Sequence, residues 1–95
     1  MNIEKGVEVW TSELEAEHGV KLYTEVDILD PEKYQSDPVE GFAVSILMKK
    51  GREYLHNSFV ISQRVLDETV NHGFVEWRFK EAALVVIKAY KEQLQ

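Results

Sequence analysis

Residues 42–61 read FAVSILMKKGREYLHNSFVI. Phe42, Val44, Ile46 and Met48 alternate with Ala43, Ser45, Leu47 and Lys49. Successive side chains of a strand point to opposite faces, so this alternation predicts a strand with one face buried. Lys50-Gly51 supplies the short polar, glycine-bearing break of a hairpin turn. Beyond it, Leu55, Phe59 and Ile61 recur at even spacing on the inner face of a returning strand over 52–61. Asn57 falls on that same face, which predicts a sheet edge or a frayed end there.

Working outward, residues 20–29 alternate in the same way. Val20, Leu22, Thr24, Val26 and Ile28 point one way; Lys21, Tyr23, Glu25 and Asp27 point the other. Asp30-Pro31 ends this strand, and 30–41 (DPEKYQSDPVEG) is a polar loop holding both prolines. Before it, Ile3, Val7, Trp10 and Leu14 are separated by 4, 3 and 4 residues, which predicts a helix over 2–18. Asn2 is its N-cap and Gly19 its C-terminal stop. A strand over 7–11 is the competing reading. After the hairpin, Ser62 caps a short helix over 63–71 that Asn71-His72-Gly73 closes. A long helix over 74–94 follows, with Val75, Phe79, Ala82, Ala83, Val86 and Tyr90 on one face. Ala82 to Ile87 is apolar all round, which predicts the most buried element of the chain. The run Phe74 to Phe79 also alternates and fits a strand opening.

The expected architecture is α+β: a three-stranded antiparallel meander with an N-terminal helix, a short helix and a long buried C-terminal helix. The order is α–β–β–β–α–α, in one compact domain spanning 1–95. Double-stranded-RNA-binding domains share the order α–β–β–β–α but need a basic start to the last helix to hold phosphates. Here that helix opens Phe74-Val75-Glu76-Trp77, and no family follows from element order alone.

Charge separates the two halves. Residues 1–40 carry eleven acids against three bases, a net −8; residues 41–95 carry eight bases against six acids, a net +2. The whole is −6, with a pI near 5.0. An acidic balance argues against direct nucleic-acid binding and against an anionic membrane surface, since both need a basic face. No apolar run is long enough to span a bilayer, and Met1-Asn2-Ile3-Glu4-Lys5 does not open a signal peptide. The absence of cysteine excludes disulfides, thiolate metal sites and thiol nucleophiles. A cytoplasmic location is the expectation.

Catalytic patterns are missing. There is no GxSxG, GxxxxGK[ST] or GxGxxG, and no HExxH. His18 and His72 each precede a glycine at an expected helix end, where an imidazole suits the helix dipole. No metal or cofactor is expected. Lys49-Lys50-Gly51-Arg52 is the one local cationic cluster, and a charged turn protects a sheet from edge pairing. Trp10, Trp77 and Phe79 are assigned to the core.

The expected function is a non-catalytic, acidic protein-interaction domain. Its partner surface would be the acidic N-terminal half and the 30–41 loop, with Tyr34 as anchor and Glu13, Glu17, Glu32, Asp37 and Glu40 as complementary charge for a basic protein surface. Tyr23, Tyr54 and His56 form a secondary site on the outer sheet face. Four alternatives stand beside this reading. The acids would imitate nucleic-acid phosphates and inhibit a DNA- or RNA-binding protein, as acidic inhibitors carried by mobile elements do. The chain would form a homodimer. It would be a structural subunit assembled through a sheet edge. Or Glu25, Asp27 and His56 would serve a small hydrolase or metal-dependent enzyme.

Overall fold

A computed structural model describes residues 3–29, 41–62 and 73–93, apart from the Leu29 side chain. Helix α1 is Ile3–His18, followed by strands β1 (Tyr23–Leu29), β2 (Gly41–Lys50) and β3 (Glu53–Ser62) and helix α2 (Gly73–Gln93). The strands form one antiparallel sheet in the order β1-β2-β3, and both helices pack on the same face of it. The fold is thus α+β with a meander and a long C-terminal helix. The described residues hold two helices; the short helix expected over 63–71 lies outside them.

The hairpin follows its alternation. Val44, Ile46, Met48, Phe59 and Ile61 are buried, and Phe42 and Leu55 pack against them. Lys50 pairs with Glu53, so the loop is Gly51-Arg52, one residue later than expected. Gly51 takes φ +60 at the first loop position, a conformation that costs glycine nothing and matches a type II′ turn. Lys50 turns away from the cationic cluster. Its Nζ donates to the backbone oxygen and the Oε1 of Gln93, at 3.0 and 2.9 Å, where a cation meets the carbonyl end of α2. Gly41 opens β2 with β3 pressed close: a Cβ there would collide with the Ile61 carbonyl oxygen and crowd the Ser62 Cα.

Asn57 is not at a frayed end. It stands within β3, an edge strand, and its Nδ2 donates to the Ala82 carbonyl of α2 at 3.1 Å while its Oδ1 accepts from the Ser58 amide. A polar side chain is tolerated on the inner face because both ends of its amide are satisfied.

Residues 7–11 are helical, and α1 buries Ile3, Val7, Trp10 and Leu14 as its spacing predicts. Gly19, at φ +63, ends it; the Gly19 and Val20 amides both donate to the Glu15 carbonyl. The Leu22 amide donates to the Glu15 carboxylate at 3.0 Å. Residues 20–22 are therefore tied to the end of α1, and β1 begins at Tyr23 instead of Val20. Ile28, expected on the inner face, is 74% exposed near the end of this edge strand.

Helix α2 begins at Gly73, and residues 74–79 are helical as their spacing predicts, not the strand opening that their alternation also fits. Val75, Phe79, Ala82, Ala83, Val86 and Ile87 are buried, with the Trp10 and Phe79 rings 5.9 Å apart. Yet Leu84 and Val85 are exposed, and so is Trp77, which was expected in the core. A two-layer domain covers only one side of each helix, so an apolar residue on the far side stays in solvent.

Candidate functional site: an acidic cleft at the sheet edge

Strand β1 hydrogen-bonds to β2 on one side and has no strand on the other among the described residues. Along that free edge, α1 and β1 enclose an open cleft of about 530 Å³. Val7, Thr11, Leu22, Thr24 and Val26 contribute the floor, and Glu4, Glu8, Glu15, Lys21 and Glu25 the charge. The lining includes Thr24 and Val26 from the inner sheet face and Glu25 from the outer one. The cleft therefore wraps around the strand edge itself.

The floor is built by ordinary helix chemistry. The Thr11 hydroxyl donates to the Val7 carbonyl one turn back at 2.6 Å, and the Thr24 hydroxyl lies 3.5 Å from it. Ser12 likewise donates to the Glu8 carbonyl. The Thr11 and Ser12 hydroxyl protons are thus given to the helix's own carbonyls. Lys21 is the only base lining the cleft among the described residues, and its Nζ stands 3.6 Å from Glu15. Glu8 and Glu25 remain exposed on the rim beside Glu4.

The helical period explains which carboxylates gather here. At 100° per residue, Glu4, Glu8 and Glu15 fall within about 40° of one another, on the β1 flank of α1. Glu13 and Glu17 fall on the opposite flank. Glu13 accepts a hydrogen bond from Lys80 of α2 at 2.9 Å, and Glu76 takes the same ammonium at 3.1 Å. Donation to Glu13, and then to Glu76, raises the Lys80 pKa above the ordinary lysine value. Of the expected partner residues, Glu13 is thus engaged between the helices and Glu17 is exposed away from the cleft. Glu32, Tyr34, Asp37 and Glu40 lie outside the described residues. Glu4, Glu8 and Glu15 of the cleft were not among the expected partner residues, and Glu25 was expected only beside Asp27 and His56. The i, i+4, i+11 spacing of the first three was the available signal.

Of the secondary residues, Tyr23 and His56 form one row with Leu47 across the three strands, on the sheet face away from the two described helices, with Tyr54 beside them. Both tyrosines are exposed, and the Lys21 ammonium lies 5.8 Å from the Tyr23 ring centre. Glu25 and Asp27 do not meet His56. Strand β2 separates them, a span of roughly 10 Å at the usual strand spacing, and neither lies in the His56 row. Among the described residues no three His, Asp or Glu side chains are placed to hold a metal ion. None of the described helices is long and apolar enough to cross a membrane.

The chain matches no protein-family model, no curated protein and no solved structure.

Proposed function

We propose that this chain is a non-catalytic protein-binding domain whose α1–β1 cleft receives an extended, lysine- or arginine-bearing segment of another protein. The segment adds to the free edge of β1 as a fourth strand. Its main-chain groups pair with the strand edge, its small or apolar side chains sit on the threonine and valine floor, and its cations meet Glu4, Glu8 and Glu25. The observation that carries this reading is the coincidence, among the described residues, of an unpaired strand edge with a carboxylate-rimmed cleft whose only base is already beside Glu15. Rim charges of this kind raise the association rate and select the partner more than they tighten the complex. The 30–41 loop, with Tyr34, adjoins β1 in sequence and extends the same proposal. Imitation of nucleic acid is less well supported, because α1 divides its carboxylates between two flanks while mimicry needs one continuous face.

The test is selection from a random peptide library displayed against the intact chain, followed by amide shift mapping. Basic extended peptides should be enriched, should perturb residues 23–27, and should bind less tightly with added salt. Glu8→Lys with Glu25→Lys should abolish the enrichment. Recovery of neutral or acidic peptides, or shifts confined to the far sheet edge, would overturn the proposal.

A further inference from the structure

The outward side of α2 is not an ordinary solvated face. Opposite its buried residues run Phe74, Trp77, Glu81, Leu84, Lys88 and Lys91, spaced 3, 4, 3, 4 and 3 residues apart. That is the alternating three–four spacing of a helix–helix seam. Phe74, Trp77 and Leu84 on this line are 47%, 58% and 43% exposed, with Val85 exposed beside them. The Phe74 and Trp77 rings lie 6.0 Å apart and form one aromatic platform. Nothing among the described residues covers it, and large apolar side chains gathered on one surface and flanked by charge mark an interaction site.

The order of residues along the stripe identifies the occupant. Aromatic rings occupy its N-terminal end, Leu84 its middle and two lysines its C-terminal end. A parallel copy would set Lys88 and Lys91 against their own counterparts. An antiparallel copy, related by a twofold axis between residues 82 and 83, sets Phe74 opposite Lys91, Trp77 opposite Lys88 and Glu81 opposite Leu84 of the second copy. Each ring then meets an ammonium, the favoured partner of an aromatic face. Each Glu81 lies one turn from the opposing Lys88.

A second feature fits the same register. A shallow, largely apolar groove of about 310 Å³ lies over the C-terminal half of the stripe. Leu84, Ile87, Lys88, Lys91 and Glu92 line it, with His18 from the end of α1. Positions 84, 87, 88 and 91 are i, i+3, i+4 and i+7, the four residues that form a hole for an incoming side chain. The register that pairs rings with lysines delivers Trp77 of the second copy to this hole. We infer that α2 is the self-complementary interface of an antiparallel homodimer, with Trp77 of each copy seated in the Leu84–Lys91 groove of the other. The interface is isologous and leaves the α1–β1 cleft of each copy open, so this inference does not depend on the proposed function. One helix pair is a small interface, so the dimer should be concentration-dependent.

Sedimentation velocity of the intact chain, from low micromolar to millimolar, gives the first reading. Wild type should shift from monomer to dimer, and Trp77→Ala should weaken the dimer by roughly tenfold or more. Leu84→Glu should leave a monomer at every concentration. If Leu84→Glu fails to fold, Lys88→Glu at a solvent-exposed position carries the same test, with a matching circular dichroism melt as the control. Orientation is read by mixing Phe74→Cys and Lys91→Cys chains, since the wild type has no cysteine. A disulfide between the two different chains is expected. Preferential Phe74→Cys self-linking would overturn the antiparallel arrangement. A wild type that stays monomeric throughout, or a dimer indifferent to Trp77→Ala and Lys88→Glu, would overturn the interface.

Discussion

Helix α1 buries every large apolar residue it carries except Val9, whereas α2 leaves Phe74, Trp77, Leu84 and Val85 in solvent. Both helices lie on the same face of the same sheet, so the difference is one of sequence. The apolar residues of α1 fall in a single narrow stripe, and the sheet and α2 cover that stripe. Those of α2 surround the helix, and the two-layer architecture covers only the side bearing Val75, Phe79, Ala82, Ala83, Val86 and Ile87. A narrow stripe therefore reports burial, while apolar character all round reports burial on one side and an unmet demand on the other.

Substitutions on the two sides of α2 should separate this comparison most widely. Phe79→Ala removes a fully buried ring that contacts Trp10 and should cost about 3–5 kcal/mol in chemical denaturation. Trp77→Ala, in the isolated monomer at low concentration, should cost about 0.5 kcal/mol or less. Equal losses at the two positions would mean that the outward side is covered after all.

The next effect tests the sheet that forms the buried side. Gly41→Ala places a methyl group against the Ile61 carbonyl oxygen, and backbone cannot step aside as a flexible side chain does. A loss of about 1–3 kcal/mol is expected, with the largest amide shifts at the end of β3. An unchanged denaturation midpoint would show that the strands separate there without cost.

Asn57→Ala probes the polar stitch between β3 and α2. Losing the bond to the Ala82 carbonyl should cost about 1 kcal/mol. Faster hydrogen exchange in the middle of α2 should accompany it. A change confined to Ser58, whose amide also uses Asn57, would place the effect in the strand alone.

The smallest effect lies between the two helices. Lys80 bridges Glu13 and Glu76, and its raised pKa means that folding stabilises the charged form. The contribution is fully present below the unfolded lysine value of about 10.4 and is lost as pH rises through the higher folded value. Partial exposure keeps it below about 1 kcal/mol. Lys80→Met should therefore melt slightly below wild type at neutral pH, and the gap should close at strongly alkaline pH. A gap that persists there would assign the loss to the lysine stem rather than to its charge.

The hairpin and α1 were legible because each follows one clean period. Phe42, Val44, Ile46 and Met48 alternate without a break, and Ile3, Val7, Trp10 and Leu14 keep one helical face. Trp77 was misassigned because aromatic size suggests a core, while its angle around α2 points away from Phe79. The acidic half was legible as composition, but not that Glu4, Glu8, Glu15 and Glu25 line one cleft while Glu13 reaches Lys80. A helix period sorts carboxylates into flanks without saying which flank meets an open strand edge. Similarly, Asn57 was readable as an oddity on an inner face, but its partner is a helix carbonyl 25 residues away.

The sequence by itself determined the alternating strands, the stop at Gly19, the turn at Gly51 and the acidic character of the first half. These are local properties, set by side-chain periodicity and by backbone conformations that neighbouring residues impose. Tertiary structure alone decided that β1 has a free edge among the described residues, that α1 faces it with one row of carboxylates and gives Glu13 to Lys80, and that α2 leaves Phe74, Trp77 and Leu84 exposed. Each of those depends on which surface another element covers, and covering is a property of packing in three dimensions that a linear pattern of residues does not contain.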